Sequence, residues 1–279
     1  MSRKYWTDDK LISRLINNKS DKSRWDNISI LRKRPSEELF AKCAVLTKSK
    51  EQKNRTIGID ILAQLGLTPR PFLKQTLDIY FDLLNSETDP KVLMSLLYAI
   101  GHNNDNLNKQ QIEKVCSFSN NDNGWVKESL VSALLGIDNL KAIEILIKLS
   151  ADKISHIRNW ATFGIGTQVE RNNQRIREAL WNRVNDKHRE TKLEAIVGLS
   201  KRKDSRVKEK IKRELIGGEY GTLLFEAIIE TSDEQFLPLL RQNLKAIKED
   251  TTINPEWKKD LKNCISELTK LTNERRTTV

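Results

Sequence analysis

Cysteine, glycine, proline and aromatic residues are all scarce in this chain, and each shortage removes a class of protein. Of 279 residues only three are cysteines, Cys43, Cys116 and Cys264. An odd number of distant cysteines with no C-x-x-C pair is neither a disulfide framework nor a zinc or redox motif. Each lies within an apolar helical pattern, which predicts a buried, inert thiol. Eleven glycines and six prolines cannot supply the corners of a sandwich, barrel or propeller. Long hydrophobic runs are missing as well. The stretch LVSALLGI at 130–137 falls far short of the roughly 20 residues that span a bilayer. Residues 1–16 hold no continuous apolar segment of the signal-peptide kind. A cytoplasmic protein with no membrane partner is therefore expected.

Catalytic signatures are also missing. The three histidines, His102, His156 and His188, do not form H-E-x-x-H and have no cysteine nearby in sequence. They stand at helix ends or in turns, where solvated or capping roles are expected. No G-x-S-x-G elbow, Walker loop or G-x-G-x-x-G occurs. Neither a cofactor nor enzymatic activity is expected.

What the chain does contain is an internal repeat. Five segments end alike: TIGIDILAQLG at 56–66, VLMSLLYAIG at 92–101, ESLVSALLG at 128–136, RNWATFGIG at 158–166 and TKLEAIVG at 191–198. Their closing glycines are 35, 35, 30 and 32 residues apart. Five positions before each glycine stand Ile61, Leu96, Val131, Ala161 and Leu193, and one before it Leu65, Ile100, Leu135, Ile165 and Val197. A spacing of four returns to one side of a helix, so these positions mark a buried stripe. The closing glycine suits a left-handed helix terminus. Between the segments run second amphipathic helices, such as NLKAIEILIKLS at 139–150 and NNQRIREALWNRV at 172–184. Asp89–Pro90 and Asn254–Pro255 mark helix starts, and Ser49–Gln52 and Ser232–Gln235 have capping-box spacing. A pair of short helices cannot bury its stripe alone, so neighbouring pairs must stack into an all-α solenoid.

The stretch 157–207, IRNWATFGIGTQVERNNQRIREALWNRVNDKHRETKLEAIVGLSKRKDSRV, resembles bacterial HEAT-repeat proteins of the short, WATFG type. Their pattern runs V-R-x-W-A-T-F-G-L-G, a polar loop, I-R-x-A-L, E-A-x-x-G-L and R-x-D. The likeness is close over these residues and looser over 36–247. The loop QVERNNQR is basic where that pattern is acidic. The resemblance implies a right-handed α-α superhelix whose B helices line a concave binding face. The expected layout is a single solenoid of six to seven helix pairs over 36–247. A helical cap at 1–35 precedes it, and a capping helix and tail at 248–279 follow.

Charge narrows the partner. The net charge is +11. Residues 1–60 carry 15 basic against 8 acidic side chains and residues 151–216 carry 17 against 9, whereas the other two segments are slightly acidic. Such blocks fit either an anionic partner or well-solvated helix faces. The positions nominated for contact are Trp25, Arg32, Lys33, Arg34, Trp125, Lys127, Arg158, Arg171, Arg175, Lys201, Arg202, Lys203 and Arg206. Trp160 and Phe163 are expected between repeats, and Trp181 in or near the core. Three functions stay open. The first is a non-catalytic scaffold holding a protein partner. The second is a nucleic-acid binder, in its enzymatic form a HEAT-like DNA glycosylase. The third is an immunity or antitoxin-type inhibitor.

Overall fold

A computed structural model describes residues 2–18, 20–217 and 220–277. Among these, regular structure is entirely helical, with sixteen α-helices arranged as successive A–B hairpins. The chain divides into two compact units, Met1–Ile145 and Leu146–Val279. The first contains α1 (Asp8–Asn17), α2 (Asp21–Leu31), α3 (Glu37–Thr47), α4 (Gln52–Leu62), α5 (Leu73–Ser86), α6 (Pro90–Gly101), α7 (Lys109–Cys116) and α8 (Gly124–Leu134). The unit boundary falls within α9 (Leu140–Leu149). The second contains α10 (Ser155–Phe163), α11 (Gln174–Trp181), α12 (Arg189–Lys201), α13 (Lys208–Gly217), α14 (Thr222–Thr231), α15 (Leu237–Ala246) and α16 (Pro255–Thr277).

Within each unit the even-numbered helices pack against one another in sequence, and all but α10 also pack against the helix before them. In the first unit α4 lies between α2 and α6, and α6 between α4 and α8. In the second, α12 lies between α10 and α14, and α14 between α12 and α16. The predicted stripe explains this arrangement. Ile61, Leu96, Val131 and Ala161 are fully buried and Leu193 nearly so, as are Leu65, Ile100, Ile165 and Val197. Only Leu135 is half-exposed. Burying a side chain of this size is worth about 1.5–3 kcal/mol, which each isolated hairpin would forgo.

Helix starts follow the sequence in part. Asp89 accepts hydrogen bonds from the Lys91 and Val92 amides ahead of Pro90, and Asn254 accepts from Glu256 ahead of Pro255. The reciprocal capping box forms at Asn108 and Gln111, and not at the two serines that have its spacing. Ser232 instead ends α14 in the left-handed region at φ 50°, and α4 begins after Glu51 without a side-chain cap.

The closing glycines separate into two kinds. Gly66 (φ 86°) and Gly136 (φ 75°) end their helices in the left-handed conformation, as expected. Gly101, Gly166 and Gly198 lie inside helical turns and serve close approach. An added Cβ at Gly198 would stand 2.6 Å from the Gly166 Cα, and one at Gly101 would stand 2.8 Å from the Ser132 carbonyl oxygen. These glycines set how near adjacent B helices come.

Candidate functional site

Residues from the B helices of the first unit line a cavity of about 750 Å³. Trp25 comes from α2, Thr56 and Asp60 from α4, Met94, Ser95 and Tyr98 from α6, and Trp125 from the first turn of α8. Trp25 is 53% and Trp125 56% exposed. Asn123 fixes the latter by capping α8, its side chain accepting from the Trp125 amide at 2.9 Å. Beneath the indoles the polar groups are already partnered. Asp60 accepts from the Arg24 guanidinium and from the Ser95 hydroxyl, while Arg24 also donates to Thr56 Oγ1 at 3.2 Å. The Tyr98 hydroxyl donates to Glu128 at 2.8 Å, and burial together with that carboxylate pushes the phenol well above its usual range. The Lys53 ammonium donates to the carbonyls of Ile16 and Asn18 at the end of α1. His102 is held below the ordinary imidazole value, chiefly by burial and then by Arg70 and Arg32.

The nominated residues meet different fates. Trp25 and Trp125 share this cavity. Arg32 donates to the Gln64 side chain, and Arg34 to the Trp6 carbonyl and Asp8. Lys33 is exposed and Lys127 half-buried on α8. In the second unit Arg158 forms a two-pronged pair with Asp186, both contacts at 2.8 Å, and also donates to the Asp152 carbonyl. Lys201 pairs with Glu226 at 3.2 Å. Arg206 is bound by Asp204 and Glu178 and lies over the Trp181 ring. Lys203, at φ 52°, donates to the Glu230 carbonyl. Arg171 is exposed ahead of α11 and Arg175 is exposed in its first turn.

Arg202 departs furthest from the expectation of a solvent-facing anion contact. It is 7% exposed, and its guanidinium donates to the carbonyls of Ile165, Gly166, Val169, Arg171 and Gly198. The Gly164–Gln168 segment is a π-helical turn, which leaves carbonyls without intrahelical donors. Arg202 supplies those donors. Within the block 201–206, Arg202 is thus a buried support of the fold, while Lys201 and Arg206 are ion-paired on the surface.

Trp160 also differs from expectation. It is 41% exposed, whereas Ile157, Ala161 and Ile165 form the buried stripe of its helix. Standing one residue before Ala161, it falls outside that stripe and meets Phe163 and His156 edge-on at 5.6 and 6.3 Å. Met94, Tyr98 and Asp60 were not legible as site residues. Asp60 carried the available signal, since a carboxylate interrupts the apolar run TIGIDIL. The three thiols are buried as expected, with burial pushing Cys43 and Cys264 up to about 12. Among the described residues no cluster of His, Cys, Asp and Glu could hold a metal ion, and no helix is long and apolar enough to cross a membrane.

Glu194 on α12 is the perturbed carboxyl of the second unit. Its Oε2 is buried without a hydrogen-bond partner. Burial first, then the Glu226 carboxylate, pushes it up to about 7, against the opposing effect of Lys201. The folded state thus holds a proton that the unfolded chain, with an ordinary value of 4.5, has released. That stability is present at low pH and is lost as pH rises through 7. At about 1.4 kcal/mol per pKa unit, discounted for partial solvation, E194Q is expected to exceed the wild type by about 2 kcal/mol at alkaline pH. The gap should close on acidification toward the unfolded value. Urea titrations across this range check it; a gap independent of pH would refute it.

No established family profile matches the chain. Protein YibA of Escherichia coli strain K12 is 28% identical over 242 residues, spanning 84% of this chain and 83% of its own. The crystal structure of E. coli YibA aligns with a TM-score of 0.75 at 24% identity, covering 96% of this chain and 94% of that one. An engineered protein aligns at 0.51 with 14% identity, over 93% and 77% of the two chains. The chain thus shares an all-helical, solenoid-like fold with YibA. Neither likeness names a ligand.

Proposed function

We propose that this protein is a non-catalytic helical-repeat module of the HEAT kind that holds a protein partner on its B-helix faces, in the cytoplasm. One observation carries the proposal. Among the described residues, the tryptophans that reach solvent extensively, Trp25, Trp125 and Trp160, all belong to B helices. Large aromatic surface left open is costly to a free protein, and tryptophan is among the residues that dominate binding energy at protein interfaces. In the first unit two of the three border one cavity whose floor is already hydrogen-bonded, so a partner meets few unsatisfied groups there. The charge pattern favours protein over nucleic acid. Arg34, Arg158, Arg202 and Arg206 are engaged internally, whereas duplex binding needs several cations free to neutralise phosphates.

The test uses the full chain. Immobilised wild type should retain a stoichiometric protein from lysate of the source cells. W25A/W125A should bind that protein about 30-fold or more weakly, since truncating one interface hot spot costs about 2 kcal/mol. Helicity and melting temperature should not change, because both indoles are exposed. A partner held equally by the double variant, or no protein partner at all, would end the proposal.

A further inference from the structure

The second unit is the more basic, with 27 Lys and Arg against 20 Asp and Glu, yet one of its grooves is lined by carboxylates. Between α14 and α16 lies a groove of about 440 Å³ whose lining includes Glu226, Glu230, Asp260 and Glu267 and no lysine or arginine. Its apolar floor is formed by Phe225 and Ile229. Lys201 reaches Glu226 and Lys203 donates to the Glu230 backbone carbonyl, but the side-chain carboxylates of Glu230, Asp260 and Glu267 form no ion pair among the described residues. Glu226 and Glu230 stand four apart on α14, a like-charge spacing that destabilises a helix by a few tenths of a kcal/mol. On the neighbouring α12, burial first and then the Glu226 charge push Glu194 upward. A surface that only needed solvation would intersperse its many cations here.

We propose that this groove docks a lysine- or arginine-bearing segment of the protein partner, its cationic groups on Glu226, Glu230, Asp260 and Glu267 and its aliphatic stems against Ile229. The proposal rests on the protein-binding function above and adds the chemistry of the partner. Charge complementarity selects the occupant, because long basic side chains can cover an apolar floor while their heads reach a carboxylate rim. The same rim repels nucleic acid.

The experiment titrates the full-length protein into a fluorescein-labelled peptide in which Lys and Arg alternate with Leu and Ser, with a Glu-substituted counterpart as control. The basic peptide should bind at low salt, and E226Q/E230Q/D260N/E267Q should bind it about tenfold more weakly, a loss of about 1.4 kcal/mol. E249Q/E256Q, which neutralises exposed carboxylates elsewhere, should bind as wild type. W25A/W125A should also bind the peptide as wild type, so failure of the tryptophan site and failure of this groove read out separately. The quadruple variant should keep wild-type helicity, since the partly exposed Lys201–Glu226 pair that it breaks is offset by the like-charge repulsion that it removes. Binding by that variant within about twofold of wild type, equal binding of the acidic peptide, or full displacement by spermine would each overturn the proposal.

Discussion

Replacing Gly198 by valine is expected to unfold the second unit at temperatures where the wild type is intact. Gly198 lies in the interior of α12, and a Cβ there would meet the Gly166 Cα at 2.6 Å and the Leu180 methyls at 3.0 and 3.2 Å. The leucine can rotate, but the Gly166 backbone cannot move without disturbing the π-helical turn and the carbonyls that Arg202 holds. Overpacking costs about 1–3 kcal/mol for modest insertions and more where backbone must shift. We therefore expect about 3 kcal/mol for alanine and a larger loss for valine. For a unit of this size each kcal/mol lowers the melting temperature by about 2–4 °C, so alanine alone should cost about 10 °C. Gly136→Ala provides the contrast. Nothing lies within 4 Å of that site and only its φ of 75° is demanding, so about 1 kcal/mol is expected. Thermal melts of the three variants check the ordering. Equal losses at Gly136 and Gly198 would mean that the two B helices do not approach as closely as described.

Arg202→Met is the second large effect expected. Methionine fills a similar volume but removes every donor that the guanidinium presents to the five carbonyls around it. An unsatisfied buried polar group costs about 1–3 kcal/mol. Even with partial relaxation, a loss of about 3–5 kcal/mol is expected. Arg202→Lys should recover only part of it, because an ammonium lacks the planar fork that reaches several acceptors at once. Amide exchange should quicken around the 164–169 turn first. A Met variant as stable as wild type would show that water replaces the guanidinium. The same geometry forbids reversing Lys201, Arg202, Lys203 and Arg206 together as a surface-charge experiment, since one of the four is a buried support.

Much of this architecture was legible because the helical stripe is written at fixed spacing. Ile61, Leu96, Val131 and Ala161 could be assigned to the core from their distance to a glycine alone. The roles of the glycines were not legible. Gly136 and Gly198 occupy equivalent repeat positions, yet one ends a helix at positive φ and the other admits the Gly166 backbone and Leu180, a difference of tertiary packing that the repeat pattern does not carry. Charge misled for a similar reason. In KRKDSR at 201–206 the residues look like a basic surface patch, whereas the fold turns Arg202 inward and ties Arg206 to Asp204. Trp125 was nominated because it follows Asn123–Gly124 at a helix start, and Trp25 because it neighbours Arg24 and the Arg32–Arg34 cluster. Trp160 was expected between repeats because it stands three residues from Phe163 on a B helix, whereas it lies one position off the buried stripe and is 41% exposed.

The Asp60 carboxylate receives Arg24 from α2 and Ser95 from α6 while belonging to α4. A single side chain thus pins the lateral register of three even-numbered helices, α2, α4 and α6, in the cavity that the exposed indoles border. A surface fixed in this way is shaped before any encounter and loses little freedom on contact. Association should then be governed by diffusion and orientation, and substitutions around the cavity should register in how long a complex lasts rather than in how fast it forms.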